Sequence, residues 1–426
     1  MSGSGLSGSR HAGVRLASVP LRGPAQMPRF RAGTIASPVC SLVMTKGHSH
    51  DQIALVLQGG GALGSYQAGA YEALAGADMV PQWLAGISIG SINSAIIAGN
   101  PPDQRVAKLR DFWQTITNRL PELFPTRTNT LSEHIRALTA TWSSLVMGAP
   151  HFFKPRLVPP FFQAPGAEGA TSFYDSSALH QTLLEFVDFD RLNDGDIRVS
   201  LGAVQVDSGN FAFFDTSDMR IEAEHVMASG ALPPGLPAVE IDGKLYWDGG
   251  LVSNTPLSYV MNRSRRDTLI FQVDLFPARG HLPQTMVEVE ERRKDIVYSS
   301  RTRMNTDAFR TRHVLKSTLR RVLDALPEDV RASAEFKEAE ELAEWNAISV
   351  VQLIYRHQGW GGASKDFEFS RGSMLQHWEA GRADAATTLA SDEWRTPPPP
   401  EEAIAVYDLS DPAHQERRAG TQKLEC

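Results

Sequence analysis

Trp83-Leu84-Ala85-Gly86-Ile87-Ser88-Ile89-Gly90-Ser91-Ile92 is the stretch whose reading decides the fold. An apolar run of strand length enters Gly86-Ile87-Ser88-Ile89-Gly90, and Ile89, Ile92 and Ile96 then recur on one helical face up to Gly99. The pattern is a strand, a sharp turn and a helix, with serine at the turn and small neighbours, Gly86 and Gly90, where the chain is crowded. Such a turn lifts the Ser88 hydroxyl above the sheet edge. The helix N-terminus beneath it offers free N–H groups and the positive end of the dipole, which favour developing negative charge.

Upstream, Ile53-Ala54-Leu55-Val56-Leu57 reads as a strand buried on both faces, as in a parallel sheet. Gly59-Gly60-Gly61-Ala62-Leu63-Gly64 follows at once. Gly59, Gly61 and Gly64 fit a dinucleotide loop, which also needs an acid about 20 residues on at the end of the second strand. Asp78 has that spacing but precedes the second strand. The other reading is an oxyanion hole, in which the backbone N–H groups of Gly59, Gly60 and Gly61 converge on a carbonyl oxygen. The serine elbow favours the second.

Further strands are expected over 199–206, 210–215, 244–247, 268–275 and 348–355, and a helix over 373–389. Alternating strands and helices predict an α/β fold with a mainly parallel sheet. Residues 101–171, with their Phe and Pro clusters, read as an insertion. Asp248-Gly249-Gly250 closes the strand at 244–247; alone it is a turn signal. A serine nucleophile needs a base. His225, His281, His313, His357, His377 and His414 follow in the chain, but none sits in a context built for that task.

The glycine loop, the Ser88 elbow and Asp248-Gly249-Gly250, in this order, resemble the patatin-like phospholipase family. Ala228-Ser229-Gly230-Ala231-Leu232-Pro233-Pro234, Asn254 and Pro256 strengthen the resemblance, which covers roughly residues 52–276. It implies a three-layer α/β/α fold and a serine acyl hydrolase with a Ser–Asp dyad. Ser88 would be the nucleophile, Asp248 the base, and Gly59, Gly60 and Gly61 the oxyanion hole. Gly64, Gly86, Gly90, Gly249 and Gly250 would support these motifs. The reaction would pass through an acyl-enzyme without metal or cofactor. The substrate class is a lipid or other acyl ester. One departure is Leu63, where the family often carries Arg or Lys, which keeps an esterase for soluble or polymeric hydroxyacyl esters as an alternative. A non-catalytic lipid-binding protein and a dinucleotide-binding oxidoreductase are the other rivals. The chain after 277 resembles the C-terminal extension of a bacterial subgroup.

Composition bounds the rest. Of 426 residues, 42% are hydrophobic and 21% charged, enough for a large core. The net charge of −7 argues against a nucleic-acid partner. Cys40 and Cys426, near opposite ends, leave neither a disulfide framework nor a cysteine metal site, and a cytoplasmic location fits them. No apolar run approaches the ~20 residues that span a bilayer, so a peripheral membrane surface is the membrane partner left open. Residues 292–321 hold ten basic side chains against Asp295 and Asp307, either a solvated helix face or a patch for anionic lipid. Residues 1–50 carry six basic residues and no acid, and are expected to be a disordered tail, a targeting segment or sequence upstream of a start at Met27 or Met44. The expected organisation is 1–50 disordered, 51–276 catalytic, 277–395 a mainly helical extension packed on the core, and 396–426 a disordered tail.

Overall fold

The computed structural model describes residues 48–117, 148–331, 334–356 and 362–411. The strands are β1 (Gln52–Leu57), β2 (Trp83–Ile87), the short pair β3 (Lys154–Pro155) and β4 (Tyr174–Asp175), β5 (Arg198–Gln205), β6 (Phe211–Asp215), β7 (Val239–Ile241), β8 (Lys244–Asp248), β9 (Thr268–Asp274), β10 (Ile348–Ile354) and β11 (Ile404–Tyr407). The helices are α1 (Ser65–Gly76), α2 (Ile89–Ala98), α3 (Arg105–Ile116), α4 (Ser177–Phe186), α5 (Phe189–Asp194), α6 (Ala223–Ser229), α7 (Leu257–Arg263), α8 (Met286–Tyr298), α9 (Thr302–Asp324), α10 (Glu328–Arg331), α11 (Ala334–Ala343) and α12 (Arg371–Leu389).

Six strands run parallel in the order β11-β10-β9-β1-β2-β5. Beyond them β6 and β8 pair antiparallel with β5, and β7 with β8. The β1 run is buried on both faces because its alternate side chains enter two cores. Ile53, Leu55 and Leu57 join Leu269 and Phe271 beneath α1, α2, α3 and α12. Ala54 and Val56 join Trp83, Ala85 and Ile270 beneath Leu257 and Val260 of α7 and Phe309 of α9. The result is three layers, α/β/α, with a mostly parallel sheet.

The extension adds more than helices. β10 pairs with β9 over its full length, and β11 pairs with β10 from Ile348↔Ile404 to Val351↔Tyr407. The tail expected from 396 is therefore ordered through this strand; only four residues long, Ile-Ala-Val-Tyr lacks the length that marks a strand in sequence. Residues 1–47, 118–147 and 412–426, which hold most of the expected N-terminal segment, much of the insertion and the end of the tail, lie outside the described residues.

Helix α12 lies against α1 at backbone contact distance. A Cβ on Gly381 would fall 2.0 Å from the Tyr66 carbonyl oxygen, and one on Gly69 1.9 Å from that of Trp378. Tyr66 Oη donates to Asp384 Oδ2 at 2.8 Å, and Trp378 Nε1 donates to Glu72. Gly381→Val must push the helices apart and is expected to destabilise by about 1–3 kcal/mol. Chemical denaturation of the full chain checks this; an unchanged midpoint would show that the helices do not pack this closely.

Candidate active site

The elbow after β2 is strained. Ser88 has φ 55° and ψ −123°, a region sparsely occupied by residues with a side chain. Its surroundings hold it there. A Cβ on Gly86 would lie 2.4 Å from the Gly90 carbonyl oxygen, and one on Gly90 2.3 Å from that of Leu57, so neither position has room for a side chain. The Ser88 N–H donates to both the carbonyl and the hydroxyl oxygen of Ser229, each at 3.1 Å. Ser229 Oγ donates its own proton to the Gly202 carbonyl at 2.6 Å and therefore accepts from Ser91 Oγ, also at 2.6 Å.

Strand β5 brings the acid to the serine. Its Gly202 is registered with Ile87, the last residue of β2, and its next residue, Ala203, with Asp248, the last residue of β8. β6 occupies the other edge at both positions, Phe213 opposite Gly202 and Ala212 opposite Ala203. β8 therefore continues the lane of β2, running in the opposite direction, and the two strand ends meet. Gly249 keeps that junction close, its missing Cβ being 2.6 Å from the Gly202 carbonyl oxygen.

Asp248 is 2% exposed. Its Oδ1 accepts from the Gly250 N–H at 2.7 Å, and Ser88 lines the same cleft beside it. Burial outweighs the lowering influence of the Gly250 N–H and the Ser88 hydroxyl and pushes the carboxyl up to about 6.

The glycine loop is clamped from outside. Asn254 Nδ2 donates to the Gly59 and Tyr298 carbonyls, each at 3.0 Å, and the Gly59 N–H returns a bond to the Asn254 carbonyl at 3.1 Å. Gln58, fully buried, donates to Thr255 Oγ1 at 2.8 Å and accepts from the N–H groups of Leu275 and Phe276 at 2.6 and 2.9 Å. The N–H groups of Gly60 and Gly61 have no acceptor among the described residues. Gly59 approaches Ser88 and Gly64 packs on Ile89, so the loop sits beside the elbow. Leu63 is fully buried in the core, so residue 63 has no path to a headgroup here.

Among the described residues no histidine lines the cleft in front of Ser88. His225 Nδ1 accepts from the Glu222 N–H at 2.9 Å, His313 Nε2 donates to the Pro400 carbonyl at 2.8 Å, and His377 packs on Tyr355. His357 and His414 lie outside the described residues. Among the described residues no group of metal-ligating side chains converges, and no helix is long and apolar enough to cross a membrane.

Residues 55–261 match the family model described as patatin-like phospholipase, and residues 296–401 match a second, described as patatin phospholipase. The chain belongs to the patatin-like phospholipase family. As such it is an enzyme, a lipid hydrolase. A comparison with curated proteins finds no match. Among solved structures, VipD from Legionella pneumophila aligns over 88% of this chain and 75% of its own, at 11% identity and a TM-score of 0.36. Full-length ExoU of the Pseudomonas aeruginosa type III secretion system, in complex with SpcU, aligns over 57% of this chain and 47% of its own, at 16% identity and a TM-score of 0.26.

In this patatin-like phospholipase Ser88 and Asp248 open into a cleft of about 960 Å³. Ile92, Phe152, Phe153, Leu236, Phe276 and Phe369 make its walls apolar. Phe152 and Phe153 come from the insertion; Phe369 comes from the extension, which the sequence did not connect with the site. Asp366 of the same segment also closes over the loop: its carbonyl oxygen lies 2.3 Å from where a Gly61 Cβ would be. Ion pairs secure it, Lys294 to Asp366 at 2.5 Å and Lys365 to Asp295 at 2.8 Å.

Ser229→Ala removes the hydroxyl that ties the elbow to β5 without touching the cleft's apolar walls. We expect kcat on a short soluble ester to fall about tenfold with KM little changed, as for lost orientation of the nucleophile. Steady-state kinetics with thermal denaturation as a folding control check this, and an unchanged kcat would remove Ser229 from the positioning of Ser88.

Proposed function

We propose that this chain hydrolyses lipid acyl esters through a Ser88–Asp248 dyad, an acyl-enzyme and a glycine-loop oxyanion hole. The observation that carries the reading is the placement of Ser88 beside the buried Asp248 carboxylate at the base of one apolar cleft.

The acyl chain of the ester lies along the Phe and Ile walls, which exclude water from it. Ser88 Oγ attacks the ester carbonyl carbon as its proton passes to Asp248. A carboxylate at its ordinary value is a weak base; at about 6 this one is better matched to neutral pH. The negative charge that develops on the carbonyl oxygen falls to the N–H groups of Gly60 and Gly61 and to the α2 N-terminus; the Gly59 N–H, expected from sequence as a third donor, is taken by the Asn254 carbonyl. One such donor is worth roughly 3–4 kcal/mol in a serine hydrolase. Collapse of the tetrahedral intermediate transfers the proton from Asp248 to the leaving alcohol. A water then gives its proton to Asp248 as it attacks the acyl-enzyme, and collapse of the second tetrahedral intermediate breaks the acyl–Oγ bond, returns that proton from Asp248 to Ser88 Oγ and releases the fatty acid. The buried Leu63 and the apolar walls favour a lipid over a soluble hydroxyacyl ester. Among the described residues no histidine faces Ser88, while Asp248 does, which favours a dyad over a triad.

The test is fluorophosphonate labelling alongside turnover of p-nitrophenyl esters of increasing chain length. Wild type is expected to label and to prefer longer chains. Ser88→Ala is expected to lose labelling and at least about a thousandfold in kcat/KM. Substitution of any of His225, His313 and His377 is expected to leave turnover in place. Loss of activity in a well-folded histidine variant would replace the dyad with a triad.

Asp248 also links activity to stability. Its folded-state value is raised, so the folded chain holds the proton more tightly than the unfolded chain. The stability this confers is complete below about pH 4, the unfolded value, and is lost as pH rises through about 6. Turnover moves the other way, rising through about pH 6 as the base ionises. Asp248→Asn is therefore expected to abolish turnover while stabilising the fold at neutral pH by about 2 kcal/mol. Denaturation curves at pH 4 and 8 check this; equal stability of the two proteins at both would show that ionised Asp248 carries no folding penalty.

A further inference from the structure

A second cleft, of about 1110 Å³, lies on the α7–α9 side of the sheet and shares no lining residue with the catalytic one. Its wall carries four cations, Arg265 after α7 and Arg312, Lys316 and Arg320 on α9, with Trp345 and His313 beside them. The basic residues of 292–321 do not share one set of partners. Arg293, Lys294, Arg303 and Arg310 pair with Glu290, Asp366 and Asp307. Arg265 and Arg312 have no acidic partner among the described residues. Arg320 reaches Glu340 only at 4.0 Å, and that carboxylate is closer to Arg331, at 3.2 Å. Lys316 Nζ donates to the Glu344 carbonyl at 2.8 Å.

Like charges held together destabilise one another unless something neutralises them. Arg265 and Arg312 both push the Lys316 ammonium below its ordinary value, after burial, and the Glu344 carboxylate only partly compensates. His313, 6% exposed, commits Nε2 to the Pro400 carbonyl, while its buried Nδ1 has no hydrogen-bond partner. We propose that this cleft is a binding site for a phosphate monoester, held by Arg265, Arg312, Lys316 and Arg320. A phosphate offers three acceptor oxygens and close to two negative charges, which match planar guanidinium forks and an ammonium better than a carboxylate does. The same chemistry is carried by a soluble phosphate compound and by an anionic lipid headgroup.

The experiment uses the full chain with Ser88→Ala, so that no lipid is hydrolysed and the outcome does not depend on the catalytic reading. Inorganic phosphate and glycerol 3-phosphate are titrated calorimetrically at near-physiological salt, where loose surface attraction is screened. In parallel, the protein is sedimented with phosphatidylcholine vesicles with and without phosphatidic acid. Binding weakened at least about tenfold by the double variant Arg312→Ala/Lys316→Ala, but not by Arg303→Ala elsewhere on α9, is the expected result. Saturable binding of the soluble phosphates without vesicle retention assigns a soluble ligand. Retention that requires phosphatidic acid and is displaced by inorganic phosphate assigns a headgroup. No binding in any arm, or equal loss in Arg303→Ala, overturns the site.

Discussion

The active site depends on how β5 shares one of its edges. Along that edge β2 pairs up to Gly202 and β8 takes over at Ala203, from the opposite direction. Two strand ends are thereby set nose to nose with no loop between them, one ending in Asp248 and the other one residue short of Ser88. Sheet hydrogen bonding spaces the lanes at about 4.8 Å. The Ser88–Asp248 approach is thus set by backbone geometry rather than by flexible side chains. The Gly202 carbonyl receives the Ser229 hydroxyl, and Gly249 packs on it, so one peptide unit aligns elbow, acid and α6 together.

In the proposed dyad, the same arrangement is what would let a carboxylate act without an imidazole. A histidine base would need room above the serine and a third residue to orient it. Here the acid lies in the sheet, dry and anchored by the Gly250 N–H, and its raised value follows from that burial. The strained Ser88 backbone and the destabilised Asp248 charge are both unfavourable for the fold, and both are borne by a sheet buried on two faces. The large core is a condition of the chemistry.

The local parts of the site were legible because each has a short-range signature. The elbow shows as a periodicity change at Gly86 and Gly90, and the glycine loop as an apolar strand followed at once by Gly59, Gly60 and Gly61. Asp248 was legible only through its companions, since Asp-Gly-Gly by itself is a turn. Long-range pairings left no trace. Nothing in the spelling of Gln58 announces that it ties the glycine loop to Thr255, Leu275 and Phe276. Phe369 lies far along the chain from Ser88 but lines the same cleft. β11 was missed because four residues are too few to show a period. The basic run at 292–321 read as one patch, since sequence cannot show which charges find acids.

The boundary near 276 divides the sequence more than the structure. β9 is buried at all seven positions because β10 covers one edge and β1 the other. Without β10 that strand would present an apolar, unpaired edge, which invites pairing with another chain. The extension then returns over the loop: Asp366 is held by Lys294 beside Gly61, and α12 locks onto α1, the helix that follows the loop directly. The two loop glycines with unpaired N–H groups are thus gripped on one side by Asn254 and on the other by a segment about a hundred residues beyond the family's three motifs. If the loop is the proposed oxyanion hole, holding two backbone donors still while charge develops in front of them is a physical reason to build both walls.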